Sequence, residues 1–376
     1  MSNFADSTSN PAPKPKVAIL GLGLMGGSLG LSLTRLGYTV IGWNRSPQST
    51  RDALRLGAIT IPAASLQEAM DGAEIVFVGT TVETIPEIIK NCLPYAAPGT
   101  IFTDMGSIKE QILEKVMEFL PTTHYFVAAH PMTGSEQQGV SAADPFLYQN
   151  AAYIIIEDPR TPQTAIDKVV DLLKIIGASV VKLSSASEHD RIVAMVSHLP
   201  HLIATTLAKT AGVEEEMYPG TLNLAAGGFR DTTRVALGSS KVWEGIIFEN
   251  KAKVLEAITA FQKELAVLKT MLENDEHPQV KEFLDLARET RLQIPAKNKG
   301  FLTLLHEMVV TIEDKPGTIE EVLRHLSKAG LNIKDIEILR VREGDGGTVR
   351  MAFENSEAVD DAVRILTEHG IKARRR

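Results

Sequence analysis

The chain has a single cysteine among its 376 residues, Cys92, which excludes an intrachain disulfide and fits a reducing compartment. It lies in "IIKNCLPYAAPG", a helix end running into a loop, and reads as an ordinary semi-buried thiol, not a nucleophile. Excess positive charge is also lacking. Thirty-nine Lys and Arg face 47 Asp and Glu, a net charge of -8, which argues against nucleic acid or an anionic membrane as the main partner. The terminal "ARRR" is only a local basic end. No apolar run reaches the roughly 18 residues needed to span a bilayer. The first fifteen residues, "MSNFADSTSNPAPKP", are polar and Pro-rich with no apolar core, so a disordered tail is expected over 1–15 and not a signal peptide. From these features a cytoplasmic protein is expected. No longer-period repeat is visible.

What is present is an ordinary globular composition, 44% hydrophobic and 23% charged, long enough for two or three domains. From Lys16 onward, short runs such as "KVAIL", "YTVIGW", "EIVFVGT", "TIFTDM", "HYFVAA", "AAYIIIE" and "ASVVKL" punctuate segments of helical length. Apolar strands alternating with helices predict an α/β unit, a doubly wound, mainly parallel sheet of Rossmann type over 16–183. From 184 to 291 strand-like runs vanish and apolar residues recur at helical spacing, as in "DRIVAMVSHLPHLIATTLAKT", where Pro200 is expected to kink the helix. Apolar residues all round these helices favour a dimerisation surface over a free-standing bundle. A linker is expected over 292–302. Over 303–376 the order strand, helix, strand, turn, strand, helix, short final segment is that of a small α+β ferredoxin-like module.

"GLGLMGG" follows the first strand with Gly21, Gly23 and Gly26 in G-x-G-x-x-G spacing and Leu24 and Met25 inside it. Gly21 permits the tight turn, Gly23 lets backbone approach a pyrophosphate, and Gly26 lets helix pack on strand. The helix start then offers N–H groups to the phosphates. In "VIGWNRSPQS", Asn44 stands where an NAD enzyme tends to carry Asp or Glu. Arg45 and Ser46 follow, and Arg45 could pair with a 2′-phosphate or be a plain surface charge. NADP is favoured, with NAD still open.

"AHPMTGSE" comes at the end of a predicted strand, so His130 should face the cofactor cleft and could take a hydroxyl proton as hydride leaves the same carbon. Glu136 can cap or orient the turn. Ser107, in "TDMGSIK", could hydrogen-bond His130 or the substrate; alternatively Asp104 and Ser107 only cap the next helix. Arg230 and Arg234, behind a Gly-Gly turn, suit a carboxylate clamp. His198 and His201 lack a third ligand at recognisable spacing, so no metal is expected.

These segments, "GLGLMGGSLGLSL", "DMGSIK", "HPMTGSEQQG", "SEHDRIVAMVSHLPH" and "GGFRDTTRVA", closely resemble the prephenate dehydrogenase family, including its arogenate and cyclohexadienyl members, over roughly 16 to 290. The tail with "DKPGTIEEVLRHLSKAGLNI" resembles an ACT regulatory domain. The resemblance implies an NAD(P)-dependent enzyme of tyrosine biosynthesis that oxidatively decarboxylates prephenate to 4-hydroxyphenylpyruvate, or arogenate to tyrosine. It implies His130 as base, Ser107 supporting it, Arg234 on the ring carboxylate, His201 near the substrate, and Asp190 and Glu136 organising the pocket. A lysine-dependent β-hydroxyacid dehydrogenase is disfavoured by the histidine motif. A non-catalytic amino-acid sensor is disfavoured by the intact glycine loop and His130. In the ACT-like tail, Asp314, Pro316, Gly317 and Asn332 are candidates for binding tyrosine between paired copies, which ties feedback to a homodimer; a purely structural role for the module is the alternative.

Overall fold

Six strands build the first sheet: β1 (Val17–Leu20), β2 (Val40–Trp43), β3 (Ile61–Pro62), β4 (Ile75–Val78), β5 (Ile101–Asp104) and β6 (Tyr125–Val127). All neighbours pair in parallel, in the order β3-β2-β1-β4-β5-β6. The uninterrupted apolar runs follow from burial on both faces. Val17 and Ile19 of β1, with Ile75 and Phe77 of β4, enter one core, whereas Ala18, Leu20, Val76 and Val78 enter the other. The computed structural model describes residues 14–135, 137–294, 306–313, 315–342 and 346–375. Residues 1–13 of the expected tail, 295–302 of the expected linker, Glu136 and Asp314 lie outside them. The described chain divides into two compact units, one ending at Glu289 and one beginning at Thr290.

The stretch read as "HYFVAA" is not one strand of the parallel sheet. After Val127 the chain leaves it, and β7 (Ala129–Pro131) pairs antiparallel with β8 (Ala152–Ile156), which pairs in parallel with β9 (Ser179–Leu183). The buried carboxylate of Asp104 accepts the Ala129 N–H at 3.1 Å, so that donor serves a side chain and not the sheet ladder. His130 therefore belongs to a second, three-stranded sheet.

The rest of the first unit is helical. Ala186–Val193 continues through a π turn, Ala194–His198, into Leu199–Met217. Pro200 sits in the first turn of the last segment, where its missing N–H falls at the wide turn. This run, Ala186–Met217, is the one helix among the described residues long and apolar enough to cross a bilayer, contrary to expectation. Its buried His189, Asp190 and His198 pack inside the protein. Four further α-helices follow, Gly227–Thr233, Ser240–Glu249, Lys251–Glu273 and His277–Gln293. Phe248, Leu265, Leu272 and Leu286 stand exposed on the last three, as does Met217 at the end of Leu199–Met217. Cys92 ends the helix Ile85–Cys92 fully buried, and burial pushes its thiol up to about 12, which makes it inert.

The second unit runs β10 (His306–Ile312), helix Thr318–Lys328, β11 (Asp335–Arg342), β12 (Gly346–Phe353), helix Ser356–Glu368 and β13 (Ala373–Arg375). Its antiparallel sheet has the order β11-β12-β10-β13, the ferredoxin-like arrangement expected. Met308, Val310, Val349, Met351 and Phe353 pack beneath Val322, Leu326, Val359 and Leu366 of the two helices. Arg350 of β12 binds the carboxylates of Glu307 (2.5 Å), Asp335 (2.6 Å) and Glu337 (2.9 Å).

Candidate active site

A cleft of about 730 Å³ opens at the carboxyl ends of β1, β2, β4 and β5, lined by Gly21 and Gly23, Asn44 to Ser46, Gly79 to Thr81, and Met105 to Ser107. This is where open α/β sheets hold ligands. Gly21 has φ +103°, and a Cβ there would lie 2.6 Å from the Gly79 carbonyl oxygen. A Cβ on Gly26 would lie 2.0 Å from the Gly21 carbonyl oxygen. Gly26 is thus a packing glycine and is not in the cleft wall. A Cβ on Gly23 would meet nothing within 4 Å, so the loop leaves open space before the helix Leu24–Arg35, whose N-terminus no side chain caps. Open space facing uncapped N–H groups fits a pyrophosphate. Leu24 and Met25 line the same wall.

Asn44 accepts a hydrogen bond from Leu22 N–H at 3.2 Å, which ties the end of β2 to the glycine loop. Ser46 lines the cleft and caps the helix Pro47–Arg55, accepting from Ser49 N–H. Arg45 is exposed at the rim and has no hydrogen bond or ion pair among the described residues.

His130, on β7 and 7% exposed, is not itself among the residues of the cleft wall, although the segments that follow β5 (Met105 to Ser107) and β7 (Gly134 and Ser135) are. Its Nδ1 lies 2.9 Å from His189 Nε2, and His189 Nδ1 lies 2.7 Å from Asp190 Oδ1. Asp190 also accepts from the Lys109 N–H (2.7 Å) and the Glu110 N–H (2.9 Å), capping the helix Glu110–Met117 from another element. Burial raises the Asp190 carboxyl, but the hydrogen bonds from His189 and these backbone groups outweigh it and hold the group below its ordinary value. Beneath lies a fully buried ion pair, Lys109 with Asp104. His130 is held well below its ordinary value, first by burial and then by His189, Lys109 and His198. It is neutral at physiological pH.

The candidate residues are not all drawn together. Ser107 lines the cleft but makes no hydrogen bond to His130. Neither it nor Asp104 caps the following helix, which Asp190 does instead. Asp190 was expected to organise the pocket; it is 1% exposed and reaches His130 only through His189. His201 is buried and stacks on Trp243 at 3.6 Å, and Trp243 lines the cleft. The His201 Nδ1 has no hydrogen-bond partner among the described residues. Arg234 is exposed and opens the turn Arg234–Leu237, outside the cleft wall, while the following Gly238 and Ser239 line it. His198 turns to Asn250, whose Nδ2 is 3.3 Å from its Nδ1. Sequence reasoning missed His189, Lys109 and Trp243. His189 had a visible signal, a histidine beside an acidic residue in "SEHD", but nothing in the spacing tied it to His130.

Comparison with known proteins agrees with this geometry. Residues 29–182 match the family described as prephenate dehydrogenase, nucleotide-binding domain, and 185–286 that described as prephenate dehydrogenase, dimerization domain. A prephenate dehydrogenase of Bacillus subtilis is 32% identical over 350 residues, 92% of this chain and 93% of that protein. The chain belongs to the prephenate dehydrogenase family. A cyclohexadienyl dehydrogenase of Zymomonas mobilis is 30% identical, over 74% of this chain and 95% of its own. The crystal structure of prephenate dehydrogenase from A. aeolicus with hydroxyphenyl propionate and NAD+ superposes with a TM-score of 0.69 at 29% identity, covering 76% of this chain and 100% of that one. Synechocystis arogenate dehydrogenase gives 0.65 at 26%, covering 74% and 100%. The protein is a nicotinamide-dependent dehydrogenase.

Proposed function

We propose that the enzyme oxidatively decarboxylates prephenate to 4-hydroxyphenylpyruvate, with His130 as the base. The observation that carries this is His130 itself: a buried imidazole on the strand whose following loop enters the cleft wall, with an Nε2 that has no hydrogen-bond partner among the described residues. A bound nicotinamide cofactor supplies the hydride acceptor. His130 Nε2 takes the ring hydroxyl proton as hydride leaves the same carbon, so the carbonyl forms without a charged intermediate. The C–C bond to the ring carboxylate then breaks, its electron pair passes through the ring to the carbonyl oxygen, carbon dioxide leaves, and the resulting phenolate takes back the proton held on His130. A weak base suffices, because loss of hydride makes the hydroxyl strongly acidic. Arg234 is assigned to the carboxylate and must position it without over-stabilising it. Ser107 and His201 are assigned to the substrate, with Glu136 and Asp190 shaping the pocket.

Arg45, exposed at the rim without a partner, and Asn44 in place of a carboxylate support NADP over NAD. Arogenate is the second reading, favoured by the likeness to the Synechocystis enzyme. A homodimer through residues 184–291, a cofactor domain over 16–183, a regulatory module over 303–376 and a cytoplasmic location complete the proposal. In that module tyrosine would bind around Asp314, Pro316, Gly317 and Asn332; Gly317, at φ +92°, turns the chain into the helix Thr318–Lys328.

Initial rates for wild type and His130→Asn, with prephenate and arogenate and each of NAD and NADP, test the core of this. Turnover in wild type should fall about a thousandfold in the variant. Turnover of neither substrate by wild type would end the reading, and a full-rate variant would remove His130 from the chemistry.

A further inference from the structure

We infer that His189, held by Asp190, is a positioning residue that sets the tautomer of His130 and leaves its Nε2 lone pair free for the substrate hydroxyl. The inference deepens the proposed reaction and rests on His130 being its base.

The Asp190 carboxylate can only accept hydrogen bonds, and two backbone N–H groups at the start of the helix Glu110–Met117 already donate to it. The His189 nitrogen 2.7 Å away, Nδ1, must therefore carry a proton. Burial keeps His189 neutral, although Asp190 pulls the other way. A neutral imidazole with its proton on Nδ1 presents a lone pair at Nε2. That lone pair lies 2.9 Å from His130 Nδ1, so His130 donates from Nδ1. His130 Nε2 is then an acceptor, as a proton-abstracting nitrogen must be. With Asp190 absent or neutral, His189 can reverse, donate from Nε2, and fix the inactive form of His130.

Once His130 has taken the proton, the same chain stabilises the cation. The titratable and charged groups around the imidazole pair are Lys109, Asp104, Asp190 and the neutral His198. Lys109 is paired with Asp104, so Asp190 is the charge left to balance the new imidazolium.

The decisive measurement is made on the wild-type enzyme. Long-range ¹H–¹⁵N correlation spectra of enzyme with ¹⁵N-labelled histidine, nine in the chain, should show both His130 and His189 protonated at Nδ1 near pH 7.5. The two are assigned by loss of their signals in His130→Asn and His189→Phe. A proton on His130 Nε2 in the resting enzyme would overturn the inference. Kinetics supply a second readout. His189→Phe and Asp190→Asn should each lower kcat between tenfold and a hundredfold with KM within about threefold of wild type. In Asp190→Asn the acid limb of the kcat profile should also move to lower pH. Activity loss with an unchanged limb, tracking only the folded fraction, would make the pair structural. A variant that fails to fold leaves the wild-type spectrum to decide. Failure of the base assignment would show separately, as undiminished turnover by His130→Asn.

Discussion

Asn44 uses its side-chain oxygen to accept the Leu22 N–H, so the residue that would discriminate between cofactors also fastens the glycine loop. Aspartate can make the same bond while adding a negative charge. Asn44→Asp should therefore keep the fold, raise KM for NADP about tenfold or more through repulsion of the 2′-phosphate, and leave or improve KM for NAD. Arg45→Ala should weaken NADP alone. An unchanged ratio of kcat/KM for the two cofactors in both variants would remove these residues from cofactor choice.

Between elements, the first helix packs tightly against the turn that follows β1. The Gly26 position has no room for a methyl group beside the Gly21 carbonyl, and that atom is backbone and cannot rotate away. Gly26→Ala should cost about 1–3 kcal/mol of stability by overpacking and widen the glycine turn, seen as a lower urea midpoint together with a higher KM for cofactor. The helical run from Ala186 makes a different demand. Its His198 is depressed to about 4, first by burial. A histidine whose folded value lies below its unfolded value of roughly 6.5 lets the unfolded chain bind more protons across that interval. Stability is thus fully present above about pH 6.5 and is lost as pH falls toward 4. His130 and His189, also depressed by burial, add to the same trend. Urea midpoints measured from pH 7.5 down to 4.5 should fall steadily, and His198→Phe should flatten the curve; a flat wild-type curve would contradict this.

For the whole molecule, exposed apolar side chains on the long helices need a partner. Leu265 is 53% and Leu272 60% exposed on Lys251–Glu273, beyond what isolated surface leucines explain when Met217, Phe248 and Leu286 are exposed on neighbouring helices. A homodimer through this region would cover them. Leu265→Glu with Leu272→Glu should shift the sedimentation of the enzyme from dimer to monomer, whereas a wild-type monomer would contradict the assignment. The C-terminal unit has its own core, so a chain ending at Lys299 should retain turnover and lose inhibition by tyrosine. Equal inhibition of that shorter chain would point to competition at the active site instead.

Much of this was legible without coordinates. Alternating apolar strands and helices specify a layered parallel sheet because burial on both faces leaves no other use for runs such as "VAIL" and "IVFV". The glycine loop declares itself because positive φ and close backbone contact are local demands that few other residues meet. The split βαβ order of the C-terminal unit was equally plain from strand and helix lengths. What only tertiary structure decided lies where distant segments meet. The departure of β7 from the first sheet turns on Asp104 capturing the Ala129 N–H across 25 residues. The contact between His130 and His189 spans 59 residues. Periodicity reports which face of an element is buried, not which side chain waits on the other side. The residue that orients a base is fixed by distance and proton bookkeeping, and neither is written in the spacing of a single chain.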